Sequence, residues 1–309
     1  MTEPPFVLGT RGSALALRQT ELLMELCRAA HPEISFRVRT IRTAADRHPG
    51  RTFDQLPGVG FFVKELETAL LAGEVDAAVH SMKDLPSQET RGLSIAAVAE
   101  REDPRDVLVS RNGLTLVTLP PGARIGTSSP RRVAALRARR QDVIVVPIRG
   151  NVETRIRKMD SGEFDAICLA GAGLLRLGLQ SRISEWLPVD IMLPAPGQGA
   201  LGLQVRTDHA LAWRVAADAE HLPTRQAVTA ERAVLVRLSA GCRLPVAAFA
   251  TVAGERLTLR ASVAAADGTR VVGGTREGLT SEAAQVGTSL AEELLARGAD
   301  QVDADPQLR

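Results

Sequence analysis

The sequence predicts an α/β protein built of two similar hinged lobes and a small C-terminal α/β domain. Three observations predict it. Across the first two hundred residues, short apolar runs alternate with helical patterns, the signature of helices layered on a largely parallel sheet. That plan is written twice along the chain. The chain also passes twice through proline-containing segments that read as linkers.

Taken in order, "FVLGT" at residues 6–10 reads as a strand and "RGSALALRQTELLMELCRAAH" as a helix with apolar positions at helical spacing. "ARIGTSSPRRVAALRARR" repeats the plan: strand, Gly-Thr, polar turn, helix. A second echo pairs "LAGEVDAAVHS" at 71–81 with "DSGEFDAICLA" at 160–170, each a helix end, then Gly-Glu-x-Asp-Ala, then a strand. The first copy is the longer between these signals. Its insertion falls in "TAADRHPGRTFDQLPGVG", residues 43–60, which reads either as a functional lid or as a disordered loop. "EREDPRD" at 100–106 and "LPAPGQGA" at 193–200 read as linkers, the second leading into the strand "LGLQV". The expected division is 1–99 with 200–217 as lobe 1, 104–193 as lobe 2, and 222–309 as the C-terminal domain. That last segment reads as a helix over 225–239, the loop "LSAGCRLP", three strands punctuated by "AGE" and "DGT", and a helix near 282–297.

The composition narrows the classes. Of 309 residues, 45% are hydrophobic and 24% charged, ordinary for a soluble globular protein. No run reaches the roughly 18 apolar residues of a membrane span, and the N-terminus "MTEPPFVLGT" lacks an export signal. A cytoplasmic location is the expectation. Three cysteines, Cys27, Cys168 and Cys242, form no CxxC pair, which argues against disulfide and zinc frameworks, so no metal is expected. Cys27 and Cys168 fall in core patterns; Cys242 alone has polar, glycine-flanked neighbours.

Net charge is only +2, yet residues 124–158 hold ten basic side chains against Asp142 and Glu153. Part of that run is a solvated helix face; the rest suggests an anionic ligand. Aromatics are 3% with no tyrosine, so base-stacking platforms for nucleic acid are hard to build. A small polyanion fits better.

Both Gly-Thr turns set hydroxyls and backbone N–H groups at a helix N-terminus, where the dipole favours anions. The first offers Thr10, Arg11 and Ser13; the second Thr127, Ser128, Ser129, Arg131 and Arg132. Simple N-capping accounts for the hydroxyls but not for the arginines. Arg149 ends a strand, Gly150 and Asn151 open the next helix, and Arg155 lies one turn further on. Guanidinium groups bind carboxylates in two-point fashion, so these arginines suit a ligand bearing many carboxylates. In "AVHSMKDLP", Asp84 reads either as a general acid/base or cation stabiliser beside Lys83, or as a plain surface turn. His80 and Ser81 lack the G-x-S-x-G elbow of a nucleophilic triad.

"RGSALALRQ", "FFVKELETALL", "DAAVHSMKDLP", "REDPRD", "IGTSSPRR", "RGNVETRIRK", "DAICLAGAGLLRLG", "LPAPGQGAL", "TAERAVL" and "GCRLP", in this order over nearly the whole chain, resemble the porphobilinogen deaminase (hydroxymethylbilane synthase) family. The resemblance implies lobes like those of periplasmic binding proteins and a C-terminal domain carrying a cofactor cysteine. It implies a transferase that condenses four porphobilinogen molecules head to tail, releasing ammonia, to the linear tetrapyrrole hydroxymethylbilane. Cys242 matches the cysteine that holds a dipyrromethane cofactor through a thioether, and Asp84 the catalytic aspartate. Lys83, Ser129, Arg131 and Arg132, with Asp84, match cofactor-binding positions. Arg11, Ser13, Arg149, Arg155 and Arg176 match the substrate region, together with Gln19, Thr127, Ser128 and Gly150. Gln198 matches a polar position near the cleft, and Phe62 an aromatic that packs either on the cofactor or in a core. A monomer acting on a small molecule, without nucleic acid or membrane, is implied. The chain departs from a common family pattern at Gln55 and Val59, where some relatives carry lysines, and at Ala45 before Asp46.

A hinged ligand-binding protein would share the two lobes and anion site but needs no cysteine on a third domain. A basic nucleic-acid binder is disfavoured by the near-even charge and scarce aromatics.

Overall fold

The computed structural model describes residues 4–42, 63–238 and 245–302. The 43–60 insertion with Ala45, Asp46, Gln55 and Val59, together with Phe62 and Cys242, lies outside the described residues.

The first stretch of chain forms β1 (Phe6–Thr10), α1 (Ala14–Ala30), β2 (Phe36–Thr40), α2 (Lys64–Leu71), β3 (Ala77–Ser81) and β4 (Leu93–Val98). The second forms β5 (Asp106–Ser110), β6 (Arg124–Gly126), α3 (Pro130–Arg139), β7 (Ile144–Val146) and α4 (Val152–Asp160). It continues with β8 (Ala166–Ala170), α5 (Gly171–Arg176) and β9 (Glu185–Trp186). Then come β10 (Leu201–Arg206), α6 (Ala210–Ala217), α7 (Leu222–Leu238), β11 (Val246–Ala253), β12 (Arg256–Ala264), β13 (Val271–Leu279) and α8 (Ala283–Ala296).

The chain divides into two compact units, Met1–Arg101 with Ala200–Arg225 and Glu102–Gly199 with Gln226–Arg309. Each contains a five-stranded sheet of the same design, ordered β2-β1-β3-β10-β4 in the first and β7-β6-β8-β5-β9 in the second. In each, three neighbouring strands are parallel and the remaining two add antiparallel pairings. The sheets are therefore mixed rather than largely parallel. The difference arises at β10 and β5, which enter their sheets from loops beyond residues 199 and 102 instead of through a βαβ crossover.

The repeated Gly-Glu-x-Asp-Ala signal has a physical basis in both units. Gly73 and Gly162 take φ of 69° and 88° and close α2 and α4. Their N–H groups bond back to Leu70 and Met159, and the next N–H groups, of Glu74 and Glu163, to Ala69 and Lys158. Such a left-handed closure favours glycine. Three residues on, Asp76 and Asp165 accept the N–H of Val7 (2.7 Å) and of Arg124 (2.8 Å), tying each following strand to its parallel neighbour. Strands buried on both faces read as continuous apolar runs: β8 is AICLA and β5 is fully buried.

The C-terminal segment is an antiparallel meander, β11-β12-β13. Its alternating strand β12 buries Leu257, Leu259, Ala261 and Val263 against Val234 of α7 and Leu290 and Leu294 of α8. Gly287 lets α8 approach the α7 backbone at Ala230, a contact that any side chain would block. Cys27 and Cys168 are fully buried, and burial pushes their thiols up to about 11 and about 12. Among the described residues no helix is long and apolar enough to cross a membrane.

Candidate functional site

In the first unit, β1 and β3 run parallel side by side, with Leu8 opposite Ala77 and Gly9 opposite Ala78. Their carboxyl ends therefore release two turns next to each other, residues 10–13 and the 3-10 turn Met82–Asp84. Ligands of open α/β sheets collect at such ends. Thr10 is fully buried and its hydroxyl donates to the Ala16 carbonyl. Ser13 caps α1, its Oγ accepting the Ala16 N–H at 3.3 Å. Gln19, buried on α1, donates to Ser81 Oγ at 3.1 Å and so ties the helix to the end of β3. Met82 is buried, and its N–H bonds the Ala200 carbonyl. That anchor leaves Lys83 half-buried and Asp84 exposed. Arg11, Ser13, Gln19, Lys83 and Asp84 thus lie at one end of one sheet.

The second unit repeats the arrangement with β6 between β7 and β8. Ser128 bridges the two turns here: its hydroxyl donates to the Ile148 carbonyl (2.7 Å) and accepts the Ile148 N–H (3.1 Å). Thr127 is buried and accepts the Ser129 N–H. Ser129 stands at the N-cap of α3 but its side chain makes no capping bond, unlike Ser13. Asn151 caps α4 by accepting the Thr154 N–H at 2.9 Å. Gly150 takes φ 113°, and a Cβ there would meet Thr154 at 2.6 Å, so the turn after Arg149 requires glycine. The carbonyl this turn exposes is held by Arg155 Nε at 2.8 Å. Thr127, Ser128, Ser129, Arg131, Arg132, Arg149, Gly150 and Arg155 belong to turns and helix starts at one end of this second sheet. Arg176 sits apart at the end of α5 and donates to the Gly199 carbonyl at 2.6 Å. Burial lowers its pKa to about 10, with Glu102 opposing.

Two fully buried acidic residues add to the second unit. Asp106 opens β5 with no exposed surface. Arg131 Nη1 donates to it at 2.6 Å, Arg132 Nε at 2.9 Å and Gln198 Nε2 at 3.0 Å. Burial alone would raise this carboxyl, but Arg131 and Arg132 outweigh it and bring the pKa to about 2. Glu231 on α7, also fully buried, accepts the N–H groups of Gly197 (2.7 Å) and Ala250 (2.8 Å). The sequence marks them only weakly, Asp106 as an acid directly before an apolar run in "DVLVS" and Glu231 as one of two charges in "AERAVL".

Two α/β units, each with guanidinium groups and hydroxyls at its strand ends, define a two-lobed α/β protein. Residues 6–213 match the porphobilinogen deaminase, dipyrromethane cofactor binding domain, and residues 225–296 match the porphobilinogen deaminase C-terminal domain. Similar proteins named porphobilinogen deaminase include those of Carboxydothermus hydrogenoformans (45% identical, covering 96% of this chain and 95% of that one) and Deinococcus radiodurans (48%; 94% and 96%). That of Thermobifida fusca is 47% identical, covering 99% and 98%. The chain belongs to the porphobilinogen deaminase family. Among solved structures, the BenM effector binding domain with its effector benzoate is similar at 15% identity and TM-score 0.44, covering 73% of this chain and 92% of that one. The VFT2 domain of Bordetella pertussis BvgS is similar at 15% and 0.43, covering 70% and 87%.

Proposed function

We propose that this chain is a hydroxymethylbilane synthase, condensing four porphobilinogen molecules head to tail with release of ammonia. The observation that supports it most is Asp84. It is an exposed carboxylate on a turn fixed by buried Met82, at the same sheet end as Arg11 and Ser13. Loss of ammonia from the aminomethyl group leaves positive charge on the substrate pyrrole, and the Asp84 carboxylate stabilises that charge. The same carboxylate holds and passes the proton lost as the new carbon–carbon bond restores the aromatic ring. Lys83 offers its ammonium to an acid group beside it.

The donor set fits the family's dipyrromethane, which carries acetate and propionate groups. Arg131 is nine-tenths buried, and its Nε has no acceptor among the described residues, as expected of a group reserved for a bound carboxylate. In this reading Lys83, Ser129, Arg131 and Asp84 hold the cofactor directly, and Arg132 contributes through the Asp106 carboxylate that it shares with Arg131. Ser129 supports this, because its hydroxyl is not spent on capping. When bound, the dipyrromethane supplies the pyrrole carbon to which the first substrate unit is joined. Cys242 holds it through a thioether; its glycine and arginine neighbours in the sequence suit a reacting thiolate. Arg11, Ser13 and Gln19 of the first unit, and Thr127, Ser128, Arg149, Gly150, Arg155 and Arg176 of the second, are the residues assigned to substrate binding. Of these, Ser128 and Gly150 act by shaping the turns that carry Arg149 and Arg155. The protein works as a cytoplasmic monomer without nucleic acid or membrane.

Incubation with porphobilinogen tests the reading. One ammonia per substrate consumed, with hydroxymethylbilane as product, is expected; bound but unconsumed porphobilinogen would mark a ligand-binding protein instead.

A further inference from the structure

We infer that Asp106 is a positioning residue that divides the work of the two adjacent arginines, spending Arg132 on the fold and holding Arg131 for the bound anion. The inference rests on the reading that Arg131 contacts the dipyrromethane.

The carboxylate is fully buried at the first position of β5, and α3 presents both guanidiniums to it from successive residues. Every nitrogen of Arg132 has a protein acceptor. Nε (2.9 Å) and Nη2 (2.8 Å) engage Asp106 Oδ1, and Nη1 donates to the Cys168 carbonyl at 3.2 Å in β8. Arg132 therefore ties α3 to both β5 and β8. Among the described residues Arg131 is held by one corner: its Nη1 donates to Asp106 Oδ2 (2.6 Å) and to the Leu193 carbonyl (2.7 Å). Its Nε is buried without an acceptor among the described residues. A planar guanidinium pinned at one nitrogen has a fixed plane, so its other edge is aimed before a ligand arrives.

Charge follows the same division. One carboxylate against two guanidiniums leaves a net positive charge, enough to favour an anion, while two uncompensated buried cations would not be tolerated. Gln198 completes the clamp, its Nε2 bonding both Asp106 Oδ1 and the Pro104 carbonyl at 2.7 Å. A carboxylate one methylene longer would keep the charge and lose this geometry. Shape and charge can thus be separated.

The test is intact mass of the purified enzyme, read as the fraction of folded molecules carrying the dipyrromethane, beside a thermal melt and the KM for porphobilinogen. Asp106→Asn is expected to melt cooperatively with a loaded fraction reduced tenfold or more. Asp106→Glu, which retains the charge and guards against a misfolded Asn variant, is expected to load partially, with KM raised more than kcat is lowered. Parental loading and KM in Asp106→Glu, or in folded Asp106→Asn, overturns the inference. Arg131→Gln separates the two readings: parental loading there removes the Arg131 contact itself, whereas loss there with full loading in the Asp106 variants removes only the positioning role.

Discussion

His80 Nε2 lies 3.0 Å from Gln204 Oε1 across the antiparallel β3–β10 pair, with both side chains buried. Gln204 donates its amide N–H to Glu67 Oε1 (3.0 Å), and the Thr90 hydroxyl donates to Glu67 Oε2. An ionised carboxylate only accepts, so Gln204 must turn its oxygen to His80, and His80 must carry its proton on Nε2. The chain fixes the tautomer of a neutral imidazole on the strand that leads into the Asp84 turn.

Burial lowers the His80 pKa from 6.5 to about 4, the Gln204 bond opposing only in part. Above pH 6.5 the ring is neutral in both folded and unfolded states. Between 6.5 and 4 the unfolded chain binds a proton that the folded one refuses, so stability falls as pH falls through that window. The full effect is on the order of 3 kcal/mol. Urea unfolding at several pH values should show this slope, and His80→Gln should flatten it; an unchanged slope would exclude His80 as its source.

The two equivalent serines should separate in mutagenesis. Ser13→Ala removes a helix cap and should cost about 1 kcal/mol of unfolding free energy. Ser129→Ala removes no cap. It should leave urea stability within about 0.5 kcal/mol of the parent while weakening cofactor or substrate binding. Equal losses of stability would show that both hydroxyls merely cap.

Glu231 joins the linker at Gly197 to β11 at Ala250 through two backbone N–H groups. Glu231→Ala strands two buried donors, each costing roughly 1–3 kcal/mol. Thermal melting should fall clearly, and Glu231→Gln, which keeps one acceptor, should fall less. Equal behaviour of the two variants would contradict this account.

Asp84→Asn keeps the size of the side chain and removes its charge. A group that stabilises developing positive charge should, when lost, lower kcat about a hundredfold or more, with KM little changed. A change confined to KM would mean that Asp84 only binds.

What was legible in the sequence was local. The Gly-Glu-x-Asp-Ala echo could be read because Gly73 and Gly162 close helices within their own few residues and Asp76 and Asp165 repeat at one spacing. The Gly-Thr turns were visible for the same reason. Asp106 was passed over because "EREDPRD" reads as a charged linker; its meaning comes from Arg131, Arg132 and Gln198, which only folding brings to it. Glu231 was hidden likewise, since its partners are backbone N–H groups on other segments. The antiparallel β5 and β10 were illegible because strand direction is set by where the chain enters a sheet, not by its apolar pattern.

Covalent attachment of the cofactor at Cys242 is read out by intact mass spectrometry of the purified protein beside Cys242→Ala. Added mass matching a dipyrromethane is expected on the parent and none on the variant. A parent that stays unmodified after incubation with porphobilinogen would contradict it.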